Sequence, residues 1–149
     1  MSPKRSRTKA RQQPDARPNT LAGLPDRDGN QPVAVSFRYA DTEYSGAWMW
    51  FTDKEAGILL HFLRDIGQRS WRDVTHWREG NRLIHHEQSI DTICPEAQQR
   101  IAELGHDQRV DSLFRFGMGY TERLWGFVTA NVFYVLWWDA NHKVCPFDE

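Results

Sequence analysis

Cysteine is scarce. The chain has two, Cys94 and Cys145, far apart and in no CxxC pair, so no zinc knuckle or disulfide framework is expected. They read as free thiols in a reducing cytoplasm. HxH and HExxH spacings are missing too, and neither a metal nor a cofactor is expected. The sequence lacks a Gly-rich phosphate loop, a Walker motif and a nucleophile elbow. No apolar run is long enough to span a bilayer. The basic start, MSPKRSRTKARQQP, has no apolar segment behind it, so it is not a secretory signal. Internal repeats are absent.

Apolar residues are also scarce near the beginning. Residues 1–31 hold only Met1, Ala10, Ala16, Leu21, Ala22 and Leu24 as apolar side chains, with seven Lys or Arg against three Asp. Such a segment cannot bury enough surface to offset the entropy of ordering its backbone. Residues 1–31 are therefore expected as a disordered basic tail, near +4. With a net charge of −1 for the chain, the remainder is near −5. The tail is a solvated leader, a basic arm that tracks nucleic-acid phosphate, or a segment partly docked on a partner.

What is abundant lies in residues 32–149: all seven Trp, eight Phe and four Tyr. That is core enough for a single α+β domain. The stretch 112–146 organises it. Residues 112–118, 122–128 and 132–138 are rich in Phe, Val, Leu, Trp and Tyr. Short links, Gly119-Tyr120-Thr121 and Thr129-Ala130-Asn131, carry turn chemistry. The expectation is a C-terminal three-strand antiparallel meander packed against two or three helices, which cover one of its faces.

Upstream, Val33, Val35, Phe37 and Tyr39 alternate with Ala34, Ser36 and Arg38, a strand pattern. Residues 47–51 are expected to pair with it as a hairpin. Thr52 and Glu55 make a capping box, and Ile58, Leu59, Phe62, Leu63 and Ile66 form the apolar face of a helix that Gly67 ends. Ser70 caps a short second helix anchored by Trp71, Val74 and Trp77. Residues 82–90 read as a short strand or extended link. Pro95 stands at N1 of a third helix, 96–104, closed by Gly105.

Three groups could carry chemistry. Asp139 stands three residues before His142, where a carboxylate can fix an imidazole's tautomer and ready it for proton transfer. Asp139 and Asn141 are equally good turn formers. His85 and His86 are neighbours on a strand and point to opposite faces. One of them could join His142 and Asp139 in a metal-like set, although no ligand spacing supports this. Arg115 and Arg123 lie on adjacent strands about equally far from their turn, so they are expected nearly opposite one another on one face. With Arg82 they suit a phosphate. An exposed Trp or Tyr beside them would stack a base.

The pattern RLWGF…NVFYVLWWDANHKV, within residues 113–146, resembles RelE-like toxins, the small ribonuclease-type members of toxin–antitoxin pairs. The resemblance implies helices followed by an antiparallel sheet. It also implies metal-independent RNA cleavage, an antitoxin-like partner protein, and Arg115, Arg123 and His142 as the groups that bind RNA phosphate and move its protons. An acidic body and a surplus of Trp fit a second reading, a non-catalytic module that binds a partner protein through its aromatic sheet face. A third is nucleic-acid binding led by the tail. On the first reading Arg115, Arg123, Asp139 and His142 converge on one concave side of the sheet.

Overall fold

The computed structural model describes residues 29–50 and 52–146. The expected tail lies, up to residue 28, outside the described residues, as does Phe51. Residues 29–31 do not belong with a tail. The carbonyls of Gly29 and Gln31 accept the amides of Arg72 and Trp71 at 2.9 and 3.1 Å, which satisfies N–H groups that the start of a helix leaves without internal partners.

In chain order the elements are β1 (Ala34–Ser36), α1 (Asp53–Ile66), α2 (Trp71–Thr75), β2 (Arg78–Glu79), β3 (Arg82–Leu83), β4 (His86–Ser89), α3 (Pro95–Glu103), β5 (Ser112–Met118), β6 (Glu122–Thr129) and β7 (Val132–Asp139). A five-stranded sheet runs β1-β7-β6-β5-β4, and β2–β3 is a separate ribbon. The fold is α+β, with the expected meander at its centre. The three helices begin where their caps predict. Glu55 accepts the Thr52 amide at 3.3 Å, Ser70 Oγ accepts from Asp73 N–H at 3.1 Å, and Pro95 opens α3. Among the described residues no helix is long and apolar enough to cross a membrane.

The sheet is covered on both faces rather than one. Phe114, Phe116, Leu124, Phe133 and Trp138 pack towards α1 and α2. Leu113, Trp125, Phe127, Leu136 and Trp137 pack towards α3 and the segment around Trp48. Trp71, Trp125, Trp137 and Trp138 are all fully buried. Most of the tryptophans among the described residues therefore fill the two core layers. Alternation in β7 breaks at Leu136 and Trp137, which join the same layer. Val135 pairs with Gly126 and Trp137 with Trp125, so Leu136 is the extra residue of a bulge. Gly126 makes that fit. A Cβ there would lie 2.0 Å from the Tyr134 carbonyl oxygen.

The expected N-terminal hairpin does not form. β1 pairs in parallel with β7, while residues 47–50 hold no strand. Their tryptophans serve as anchors instead. Trp48 stacks on Trp137 with centroids 4.9 Å apart, and Trp50 Nε1 donates to the Asp41 carbonyl at 2.7 Å. Asp41 ties this loop down. Its carboxylate receives two hydrogen bonds from Arg100, at 2.7 and 2.8 Å, and one from Trp137 at 2.9 Å. Burial pushes the Asp41 carboxyl up, but the donors from Arg100 and Trp137 outweigh it and hold the group below its usual range. The Arg100 guanidinium is held more firmly protonated in return.

Candidate functional site

The C-terminal end of β5 is an open edge. β4 pairs with β5 only from His86 opposite Arg115 to Ser89 opposite Ser112. Towards its start the chain veers away through His85 and Ile84 into the β2–β3 ribbon. Between this ribbon, α1 and the β5–β6 hairpin lies a cleft of about 630 Å³, within the usual range for a ligand site.

Arg82, Arg115 and Arg123 all line this cleft. Arg115 pairs with Trp125 and Arg123 with Gly117. The two arginines thus share a sheet face as expected, but they stand diagonally rather than opposite, because Arg115 lies further from the turn than Arg123 does. Arg115 is only 2% exposed. His86 holds its guanidinium: Arg115 Nη2 donates to His86 Nε2, and His86 Nδ1 contacts the Glu87 carbonyl at 2.9 Å. An arginine only donates, so His86 Nε2 accepts and Nδ1 carries the proton. Arg123 Nη1 donates to the carbonyls of Tyr120 and Glu122 at 3.2 and 3.0 Å. The cleft also has Asp65 and Glu79 in its wall, and Trp77 and Tyr120 at its sides. Tyr120, on the hairpin turn, is 89% exposed.

His85 lines the same cleft but is 2% exposed. Phe62, Trp77 and Phe116 surround its ring, with centroids 6.0, 5.2 and 5.2 Å away. Its Nδ1 accepts the Gly117 amide at 3.1 Å. That amide belongs to the β5 edge where β4 has departed, so the imidazole stands in for a missing strand. The ring proton is therefore on Nε2. Burial, and then the positive charge of Arg115, pushes the His85 pKa down to about 4. His85 is a neutral edge cap rather than a proton shuttle. His85 lies just before β4, whose first residue is His86.

Asp139 and His142 do not reach the cleft. Asp139 shares the face of Arg123, its register partner, yet it is fully buried. Both its oxygens accept backbone amides, from Lys143 and Val144, each at 2.8 Å. His142 has φ 59°, and this left-handed residue turns the two amides back onto the carboxylate. The D-x-x-H spacing is thus a turn closure. Among the described residues no group of three His, Cys, Asp or Glu could hold a metal ion. Neither Cys94 nor Cys145 forms a disulfide among the described residues.

Sequence reasoning overlooked Trp77, Glu79 and Tyr120. Trp77 looked like a helix anchor. Tyr120 carried a usable signal, since an aromatic inside a two-strand turn has no core to enter. No family model, curated protein or solved structure matches this chain.

Proposed function

We propose that the cleft binds single-stranded RNA and that the protein is a toxin-like, metal-independent endoribonuclease. The observation that supports this reading is the gathering of Arg82, Arg115 and Arg123 around one cleft beside the exposed ring of Tyr120. Arginine recognises a phosphodiester in planar, paired fashion, and a tyrosine beside it stacks a base. In the reaction the 2′-hydroxyl oxygen bonds to the adjacent phosphorus and the P–O5′ bond breaks. The products are a 2′,3′-cyclic phosphate and a 5′-hydroxyl. Arg115 and Arg123 stabilise the charge on the phosphorane. Glu79, in the cleft wall, takes the 2′-hydroxyl proton in place of His142, and solvent protonates the leaving 5′-oxygen.

Incubating the purified protein with RNA in chelator tests this. Fragments ending in cyclic phosphate are expected, and DNA of the same sequence, lacking the nucleophile, should stay intact. Arg123→Ala should slow cleavage about 10²-fold or more, and Glu79→Gln by a similar ~10²-fold. RNA that is neither bound nor cut would overturn the reading.

A second reading, a non-catalytic interaction module, draws on the apolar side chains left exposed: Leu60 (69%), Met49 (58%) and Phe37 (50%). Induction in bacteria separates the two. Growth arrest relieved by Arg123→Ala favours the nuclease; harmless expression with a stable protein partner favours the module.

A further inference from the structure

Trp77 belongs to two concavities. One is the arginine cleft; the other is a shallow shelf formed by Arg69, Arg72, Asp73, His76 and Trp77 itself. The shelf lies along α2 and the residues that flank it. The Arg69 guanidinium sits over the Trp77 ring at 4.4 Å, and its side chain remains 37% exposed although it also bonds Asp65 at 3.2 Å. Cation and ring thus form one ledge between the two concavities. On the shelf side, His76 Nδ1 lies 2.8 Å from the Arg72 carbonyl, which turns the ring along the helix end.

We infer that the cleft and this shelf form one continuous track for a single-stranded RNA several nucleotides long, with a second phosphate subsite at Arg69 and Arg72. The inference rests on the RNA reading of the cleft and deepens it. A ligand of one nucleotide would need only Arg115, Arg123 and Tyr120. Cations on both sides of an aromatic ledge are instead the arrangement that follows a strand, phosphate by phosphate, without reading its sequence. Carboxylates line the track as well: Asp65 and Glu79 in the cleft, Asp73 on the shelf. They keep its net positive charge low, so affinity should fall only moderately with salt, as for about two or three neutralised phosphates.

Fluorescence anisotropy of labelled oligouridylates with the full chain tests this. A trinucleotide and a strand of roughly ten nucleotides are compared. The longer strand is expected to bind ~10-fold tighter or more, because it adds a phosphate contact and a stacking contact. The double variant Arg69→Gln/Arg72→Gln should lose that gain and leave trinucleotide affinity within about twofold, while Arg72→Lys, which keeps the charge, should retain it. Arg115→Gln should weaken both lengths alike. Equal affinity for the two lengths, or equal weakening of both by the double variant, would overturn the track and leave the cleft reading standing. Failure of both strands to bind would overturn the track and the cleft reading together.

Discussion

Gly117 and His85 show how one open strand edge is closed by side-chain chemistry. A Cβ on Gly117 would lie 2.8 Å from the Ile84 carbonyl oxygen, a backbone atom that cannot swing aside. Gly117→Ala is therefore expected to cost about 1–3 kcal/mol, read as a lower urea midpoint. His85→Phe keeps an aromatic ring among Phe62, Trp77 and Phe116 but leaves the Gly117 amide without its acceptor. It should cost about 1–3 kcal/mol. A neutral His85→Phe would show that the imidazole is packing material and not a cap. The sequence placed Arg115 and Arg123 on one face by taking them as opposite across the turn, and the observed offset of two residues keeps that face. Nothing local could tell that His85 would face an amide, because that contact spans 32 residues.

At the scale of elements, α1 follows its sequence signals with one rotation of its buried stripe. Leu59 and Ile66 are buried, whereas Ile58, expected on the same face, is 44% exposed and lines the cleft with Phe62. The helix presents one flank to the core and leaves the next to the cleft. Phe62 packs edge-on against Phe116 at 5.5 Å but is half-buried. Phe62→Ala should then cost about 2 kcal/mol, below the range for a fully buried ring. Glu55 has a second role beyond its cap. Its Oε1 also accepts from Trp138 Nε1 at 3.2 Å, which couples the start of α1 to β7. Thr52→Ala should cost about 1 kcal/mol, and Glu55→Ala should cost more because it also removes the hydrogen bond from Trp138 Nε1. Equal midpoints for these two variants would show that the Trp138 contact contributes nothing.

Across the whole molecule, two histidines make stability depend on pH. His85 and His106 are buried, and that burial lowers both from 6.5 to about 4. An unfolded chain would bind two protons between those values that the folded chain refuses. Stability is thus complete above pH ~6.5 and declines as pH falls towards ~4, by up to ~3 kcal/mol per histidine. Asp41, with its folded pKa lowered, contributes in a lower window. Its stabilisation is present above the unfolded carboxylate value and is lost as pH falls through the folded one. Protonation of His85 would also remove the acceptor of the Gly117 amide, so the cleft wall should loosen in the same range. Urea titrations at pH ~7.5 and ~4.5 check this. His106→Leu should flatten part of the slope, and pH-independent stability would contradict the buried, neutral assignment.

The sequence by itself determined the three helices and the central meander. Caps, turn residues and periodicity act within a few residues, so Thr52, Ser70, Pro95 and Gly119 mark boundaries without knowledge of the rest of the chain. Tertiary structure decided which strands met and what lay over them. The segment at Val33 alternates convincingly, yet its partner proved to be β7, almost 100 residues away, because Trp48 and Trp50 were drawn into anchoring the loop that Asp41 ties to Arg100. The Leu136 bulge and the second covering layer are likewise invisible locally, since both depend on how two distant surfaces fill one space. Arg115 and Arg123 stayed together because strand period fixes a face. Asp139 and His142 left the group because buried backbone amides, which must find acceptors wherever the chain turns, claimed the carboxylate first.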